Sequence, residues 1–146
     1  MKNKDEIEIL IVEDNPNDAE MALRALKENK LTNNVLVARD GEEALNYIFA
    51  RGNNSYPEQK IRPKIILLDL KLPRVSGLEV LKELKNHPDT QMIPVIVLTT
   101  SREEKDIIES YRLGVNSYII KPVDFEKFIE AVRELGLYWL LLNQYP

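Results

Sequence analysis

Five short apolar runs recur along the chain. They occupy residues 7–12, 34–38, 65–68, 95–98 and 117–120, and Glu8 interrupts the first of them. Runs of this kind, with little polar alternation, are typical of strands that are buried on both faces of a parallel sheet. We therefore predict five strands, each followed by a polar segment in which the spacing of apolar residues changes.

The first two polar segments carry helix signals. Asn15 is a good N-cap and Pro16 suits the first helical position, which predicts a helix over about residues 16–29. Asp40 and Glu43 fit a capping box at the start of a second helix. The inward positions of these helices are Ala19, Ala22, Leu23, Leu26, Ala44, Leu45 and Ile48.

Three further helices are predicted in the second half of the chain. Ser101 and Glu104 fit a capping box for the fourth helix, and Gly114 suits the position just after its end. A last helix begins near Asp124. The apolar positions of the third and fourth helices are Leu78, Leu81, Leu84, Ile107, Ile108 and Tyr111.

Strands that alternate with helices predict an α/β fold. With right-handed crossovers the chain forms one flavodoxin-like, doubly wound, five-stranded parallel sheet with strand order 2-1-3-4-5 and five helices. A length of 146 residues suits one domain, so we expect a single domain over residues 1–146.

Composition narrows the class of protein. The chain is 44% apolar and 30% charged, and no apolar run approaches the roughly 20 residues that span a bilayer. A formal charge of −4 argues against general binding to nucleic acid, and the absence of cysteine excludes disulfides and thiolate chemistry. The amino-terminal residues lack the apolar core of a secretory signal. We expect a cytoplasmic protein that binds neither nucleic acid nor a membrane.

Two segments stand outside the alternating pattern. Residues 51–63 are polar and rich in Pro, Gly and Asn, which predicts an exposed connection or, less simply, a loop that docks a partner. Residues 136–146 form an apolar extension with six consecutive apolar residues after Gly136. An uncovered patch of this kind usually marks an interface, so we expect a homodimer through the last helix and tail. The alternative is that the tail folds back onto its own domain.

The chemistry of the chain is concentrated at the ends of its strands. Asp69 ends the third apolar run, Glu13 and Asp14 end the first, and strands one and three are neighbours at the point where the helices change faces. Carboxylates brought this close repel one another, so either their pKa values rise or a cation lies among them. Hard oxygen ligands without cysteine or a nearby histidine favour Mg²⁺.

Two further polar residues end the fourth and fifth strands. Thr99 and Lys121 there provide a hydroxyl and an ammonium beside Asp69, which together suit a phosphoryl group. Asp69 is then the candidate nucleophile that forms an aspartyl-phosphate. Pro73 and Gly77 shape the following loop, and Gly77 supplies either a positive φ or the start of a helix.

The ordered motifs resemble the receiver domain of two-component response regulators. They are Val12-Glu13-Asp14, Leu67 to Pro73 with Gly77, Leu98-Thr99-Thr100 and Tyr118 to Pro122. The resemblance covers about residues 7–135. It implies that Asp69 accepts a phosphoryl group from a sensor histidine kinase. It also implies that Glu13, Asp14, Asp69 and the backbone carbonyl of Lys71 bind Mg²⁺.

The resemblance also implies how the signal is passed on. Thr99 moves toward the phosphoryl group, Tyr118 turns inward, and the peptide bond before Pro122 is cis. Partner or dimer contacts then change. By this resemblance we expect a signalling protein whose only chemistry is its own phosphorylation and autodephosphorylation. The connection before strand three and the lack of an output domain are similar to stand-alone receivers that accompany phytochrome-like sensor kinases.

One enzyme class shares a strand-end aspartate nucleophile and Mg²⁺. Phosphatases of the haloacid-dehalogenase type carry a second acid two residues after the nucleophile. The corresponding position here is Lys71, which argues against this alternative.

Overall fold

A computed structural model describes residues 6–31, 34–50 and 61–135. Within these ranges, five parallel strands form one sheet in the order β2-β1-β3-β4-β5, which confirms the predicted doubly wound arrangement. Strand register is continuous across the centre of the sheet: Val12 pairs with Leu68, and Leu68 pairs with Val97. The strands are β1 (Ile9–Val12), β2 (Val35–Ala38), β3 (Ile65–Leu68), β4 (Val95–Thr99) and β5 (Ser117–Ile120).

Five helices cover the two faces of the sheet. They are α1 (Pro16–Glu28), α2 (Gly41–Phe49), α3 (Gly77–Lys85), α4 (Glu104–Leu113) and α5 (Phe125–Glu134). Successive strand residues point to opposite faces, so Ile66 and Leu68 pack with α2 and α3, whereas Ile65 and Leu67 pack with α1 and α5. The core therefore has two layers, and the site lies at the carboxyl edge between them.

The helix caps explain where α1 and α2 begin. The Asn15 side chain accepts hydrogen bonds from the backbone N–H groups of Asn17 and Asp18, as its N-cap position predicted. Asp40 accepts from the backbone N–H of Glu43 at 2.7 Å, which is one half of the predicted capping box. Both helices therefore start immediately beside the carboxyl ends of β1 and β2.

The capping box predicted for the fourth helix is wrong. Helix α4 begins at Glu104, its N-cap is Glu103, and Glu103 makes no side-chain capping hydrogen bond. Ser101 lies two residues before this cap position: its hydroxyl donates to Asp106 Oδ2 at 2.6 Å and accepts from the backbone N–H of Glu103 at 3.3 Å. The exposed side of α4 carries Ile108 and Tyr111, while Asp106 and Ser110 are buried.

Element boundaries differ from the predicted ones by one or two residues. Strand β1 begins at Ile9 rather than at residue 7, and β4 extends to Thr99. Glu8 is buried beside Lys64, with the ammonium 3.6 Å from its carboxylate. Gly77 is the first residue of α3, which settles its predicted role as a helix start.

Two predictions fall on parts of the chain outside the described residues. They are the exposed connection, of which residues 51–60 are not described, and the tail of residues 136–146. Among the helices that are described, none is long and apolar enough to cross a membrane.

Candidate phosphoryl-transfer site

Asp69 is held rigidly at the carboxyl end of β3. Its backbone N–H donates to the carbonyl of Val12 at 3.0 Å, and its Oδ1 accepts from the backbone N–H of Lys71 at 3.0 Å. A Cβ added to Gly77 would overlap the Asp69 carbonyl and the backbone of Leu70, so only glycine permits this approach of α3. The Asp69 carboxylate is therefore fixed in direction and is only 5% exposed.

Three carboxylates converge beside this strand end. One oxygen from each of Glu13, Asp14 and Asp69 lies within 4.8 Å of the others. Glu13 and Asp69 are buried and Asp14 is exposed, so the cluster has one side open to solvent. An all-oxygen donor set that leaves room for water fits a hard divalent cation such as Mg²⁺.

Lys121 is the counter-charge of the site. Its ammonium donates to Glu13 Oε1 at 2.6 Å, to Asp18 Oδ2 at 2.7 Å and to Asp69 Oδ2 at 2.9 Å. Burial lowers the pKa of Lys121, but these three hydrogen bonds outweigh burial and raise the pKa above its ordinary value. The single positive charge of Lys121 therefore neutralises only part of the negative charge of the carboxylates around it.

The pKa of Glu13 lies above its ordinary value. Burial raises the pKa of Glu13 to about 7, the hydrogen bond from Lys121 opposes this rise, and the charge of Asp69 adds to it. The second carboxylate oxygen of Glu13 accepts from the backbone N–H of Asn15 at 3.1 Å, which orients the side chain. A second cation beside these carboxylates would relieve the repulsion.

Thr99, Ser101 and Tyr118 form a polar chain on the other side of Asp69. Thr99 is fully buried, and its hydroxyl accepts from the backbone N–H of Ser101 at 3.4 Å. The Tyr118 hydroxyl donates to the backbone carbonyl of Ser101 at 2.9 Å. Burial raises the pKa of Tyr118, with a smaller opposing effect from the side chain of Ser101. The loop after β4 thus ties the Thr99 and Tyr118 hydroxyls together.

The loop that follows Asp69 is braced from two directions. The guanidinium of Arg74 donates to Glu42 at 3.0 Å, and a Cβ on Gly41 would overlap the carbonyl of Val75, so the loop packs closely on the start of α2. On the other side, the Lys71 ammonium lies 3.7 Å from Asp106 Oδ2 in α4. The peptide bond between Lys121 and Pro122 is cis.

Lys121 contacts Glu13 and Asp69 directly, and a carboxylate oxygen of Asp14 lies within 4.8 Å of those two acids. Thr99 is the last residue of β4, and Tyr118 lies in β5. The structure gives no contact for the carbonyl of Lys71, which stays a predicted ligand. Sequence reasoning missed two acids, Asp18 and Asp106. Each lies in the first turn of a helix that starts at the carboxyl edge of the sheet, and that position is the signal by which both acids could have been found.

Comparisons with known proteins converge on one class. The family model described as "Response regulator receiver domain" matches residues 9–133. Response regulator Rcp1 of Synechocystis sp. (strain ATCC 27184 / PCC 6803 / Kazusa) is 39% identical over 132 residues, which cover 90% of this chain and 88% of that protein. The chain therefore spans most of the length of this relative.

Solved structures give the same result. The bacteriophytochrome response regulator AtBRR matches with 49% identity and a TM-score of 0.79, over 95% of this chain and 99% of that chain. The Mn²⁺-bound form of Rcp1 has 37% identity and a TM-score of 0.76, over 96% and 97%. The phosphorylated cyanobacterial phytochrome response regulator RcpA has 37% identity and a TM-score of 0.68, over 92% and 94%.

Proposed function

The chain belongs to the receiver domains of response regulators, and from this premise we propose that Asp69 accepts a phosphoryl group from the phosphohistidine of a sensor histidine kinase. The observation that carries the proposal is the contact of Lys121 with both Asp69 and Glu13 beside the three-carboxylate cluster. A buried carboxylate, fixed in direction and next to an ammonium, is suited to attack phosphorus.

The transfer is a substitution at phosphorus. Asp69 Oδ forms the new P–O bond while the P–N bond of the phosphohistidine breaks, and the departing imidazole keeps the electron pair of that bond and takes up a proton. Lys121 already lies 2.9 Å from Asp69 Oδ2, so its ammonium can turn to a phosphoryl oxygen with a small movement. Lys121 then exchanges a hydrogen bond to a carboxylate for one to the phosphoryl group, so its charge is paired before and after the transfer.

Glu13, Asp14 and Asp69 would hold a divalent cation, and we propose Mg²⁺, with the backbone carbonyl of Lys71 as a further ligand. The convergence of three carboxylate oxygens, one of them on the exposed Asp14, supports a cation site here. When bound, the ion neutralises the negative charge of the transferring phosphoryl group. Rcp1, whose structure is that of an Mn²⁺-bound form, is a relative with the same fold.

Thr99 and Tyr118 are proposed as the switch. The buried Thr99 hydroxyl moves from Ser101 to a phosphoryl oxygen, and this movement displaces the Ser101 carbonyl that holds Tyr118. Tyr118 then turns inward, and the surface around α4 and β5 changes its contacts with partners. In this account the protein is a signalling protein whose chemistry is limited to its own phosphorylation and dephosphorylation.

The proposed donor is a phytochrome-like sensor kinase in the cytoplasm. Support comes from the bacteriophytochrome and cyanobacterial phytochrome response regulators, which match over more than nine-tenths of this chain. The phosphatase alternative has no support, because the position two residues after Asp69 is Lys71 and the comparisons identify receivers.

Two assembly proposals accompany this function. The chain acts as a single receiver domain, without contacts to nucleic acid or membrane. It forms a homodimer through α5 and the apolar residues that follow Gly136, because six consecutive apolar side chains need a surface to cover them.

Phosphotransfer tests the proposal directly. A ³²P-labelled bacteriophytochrome histidine kinase is mixed with the chain and Mg²⁺, and label is followed by gel electrophoresis. We expect rapid transfer to the wild type, no transfer to Asp69→Asn, and no transfer in excess EDTA. Transfer to Asp69→Asn at the wild-type rate would overturn the assignment. If an unrelated histidine kinase transfers its phosphoryl group and the bacteriophytochrome kinase does not, only the proposal of a phytochrome-like donor is overturned.

A further inference from the structure

Asp106 occupies an unusual position for an acid. It lies in the first turn of α4 and is only 7% exposed, although this turn follows a loop at the protein surface. The two fully buried residues of α4 are both polar, since Ser110 is also buried and its hydroxyl has no hydrogen-bond partner among the described residues. Leu113, at the end of the helix, packs against the core, so the first turn of α4 is positioned mainly by the contacts of Asp106.

The contacts of Asp106 join two loops of the site. Its Oδ2 accepts from the Ser101 hydroxyl at 2.6 Å and lies 3.7 Å from the Lys71 ammonium. Ser101 is two residues beyond Thr99, and Lys71 is two residues beyond Asp69. A single carboxylate oxygen therefore connects the loop of the phospho-acceptor with the loop of the Thr99 hydroxyl.

The same cluster includes Tyr118. Its hydroxyl is held by the backbone carbonyl of Ser101, and the negative charge of Asp106 contributes to the raised pKa of Tyr118. Movement of the Ser101 loop toward Asp69 would therefore disturb Thr99, Tyr118 and Asp106 together. The ion pair with Lys71 opposes such a movement, because Lys71 is fixed to Asp69 Oδ1 through its backbone N–H.

We infer that Asp106 is a positioning residue that links Lys71 to Ser101 and holds the Thr99 loop in its unphosphorylated position. The inference rests on the proposed function, because it concerns the switch that follows phosphorylation of Asp69. Phosphorylation must weaken the link, so the link favours the unphosphorylated state. Loss of the Asp106 charge then shifts the equilibrium toward the switched state.

Binding of beryllium trifluoride measures this equilibrium without covalent turnover. The anion mimics a phosphoryl group on a carboxylate oxygen, and the bound form is counted by ¹⁹F NMR in excess Mg²⁺ and fluoride. We expect Asp106→Asn to bind about two- to fivefold more tightly than the wild type, as the loss of a partly exposed ion pair allows. The asparagine still accepts from Ser101, so this variant changes mainly the contact with Lys71.

A general electrostatic effect must be separated from the link. Removal of any nearby negative charge favours an anion, so Glu103→Gln, which removes a charge one residue before α4, is the matched control. The decisive comparison is made in a Lys71→Met background. In that background, Asp106→Asn should not raise the affinity for beryllium trifluoride any further, because the Lys71 ammonium that pairs with the Asp106 carboxylate is already absent.

The outcomes separate the inference from the function on which it rests. If wild type shows no bound ¹⁹F signal, or Asp69→Asn shows the same signal, the proposed function fails. If wild type binds but Asp106→Asn binds equally or more weakly, or gains as much in the Lys71→Met background, only the role of Asp106 is overturned. Lys71 is 56% exposed, so the Lys71→Met protein is expected to fold. It removes the same ion pair, so if Asp106→Asn is unstable this single variant tests the link: tighter binding than the wild type supports it, and equal or weaker binding overturns it.

Discussion

At the scale of single residues, the site depends on the charge balance around Lys121. Three carboxylates contact this ammonium, and only one of the three, Asp69, is the proposed acceptor. Lys121 reduces repulsion among these acids, and in the proposed function it pairs with the phosphoryl group after phosphorylation. Under this proposal, the same ammonium would compete with a metal ion for the oxygens of Glu13 and Asp69.

Removal of this ammonium should affect stability and metal binding in opposite directions. In EDTA, Lys121→Met should lower the free energy of unfolding by about 2–4 kcal/mol, because buried carboxylates lose their counter-charge. Its affinity for Mg²⁺ should rise above that of the wild type, since no ammonium competes for the ligands. Urea unfolding and calorimetric titration measure the two effects, and Lys127→Met, on the exposed side of α5, is the control. Weaker Mg²⁺ binding in Lys121→Met would contradict the competition.

The raised pKa of Tyr118 predicts a pH dependence of stability. In the folded protein the phenol keeps its proton to a higher pH than in the unfolded chain, whose tyrosines ionise near the ordinary value of 10.0. The contribution of Tyr118 to the free energy of unfolding is therefore fully present below pH 10, and it is lost as the pH rises through the pKa that the phenol has in the folded protein. The absorbance titration of wild type minus that of Tyr118→Phe should have its midpoint above 10. A midpoint at or below 10 would contradict the raised pKa of Tyr118.

At the scale of elements, the start of α3 is what fixes Asp69. Gly77 places the helix against the backbone of Asp69 and Leu70, where no side chain fits. Gly77→Ala should lower the free energy of unfolding by roughly 1–3 kcal/mol, because overpacking moves backbone as well as side chains. It should also slow phosphorylation of Asp69. Ser76→Ala is the matched control: it removes the N-cap hydrogen bond to Glu79 and should cost about 1 kcal/mol without slowing phosphorylation.

Elements were predictable from sequence wherever local signals agreed with burial. The run Ile65 to Leu68 is buried throughout, and the Asn15 cap forms as its side chain predicts. The capping box predicted at Ser101 is wrong because α4 begins at Glu104, two residues later than the box requires, and the Ser101 hydroxyl bonds to Asp106 in the first turn of that helix. No local pattern distinguishes a serine that caps a helix from one that bonds to a buried acid. The position of Asp106 could be predicted from the sequence, but its burial depends on the folded arrangement of α4.

At the scale of the whole molecule, strand order determined which residues meet. Glu13, Asp69, Thr99 and Lys121 are far apart in sequence, and the parallel sheet brings their strand ends to one edge. This convergence was predictable from the alternation of strands and helices. The contact of Lys121 with Asp18 was not, because it depends on the direction of the side chain in the first turn of α1.

The proposed homodimer is tested by removing the tail. Sedimentation of the full chain should give twice the monomer mass, and a chain that ends at Glu134 should sediment as a monomer with an unchanged far-ultraviolet circular dichroism spectrum. Leu141→Asp, which places a charge in the apolar run, should weaken the dimer without truncation. An unchanged mass after truncation would indicate that the tail covers its own domain.

The central claim is that Asp69 is the phospho-acceptor, and intact mass measures it most directly. The protein is incubated with acetyl phosphate and Mg²⁺, then analysed before the phosphate hydrolyses. The account predicts that wild type gains one labile phosphoryl group, that Glu109→Gln, an acid on the outer side of α4, gains the same, and that Asp69→Asn gains none. A phosphoryl group of the same lability on Asp69→Asn would contradict the account.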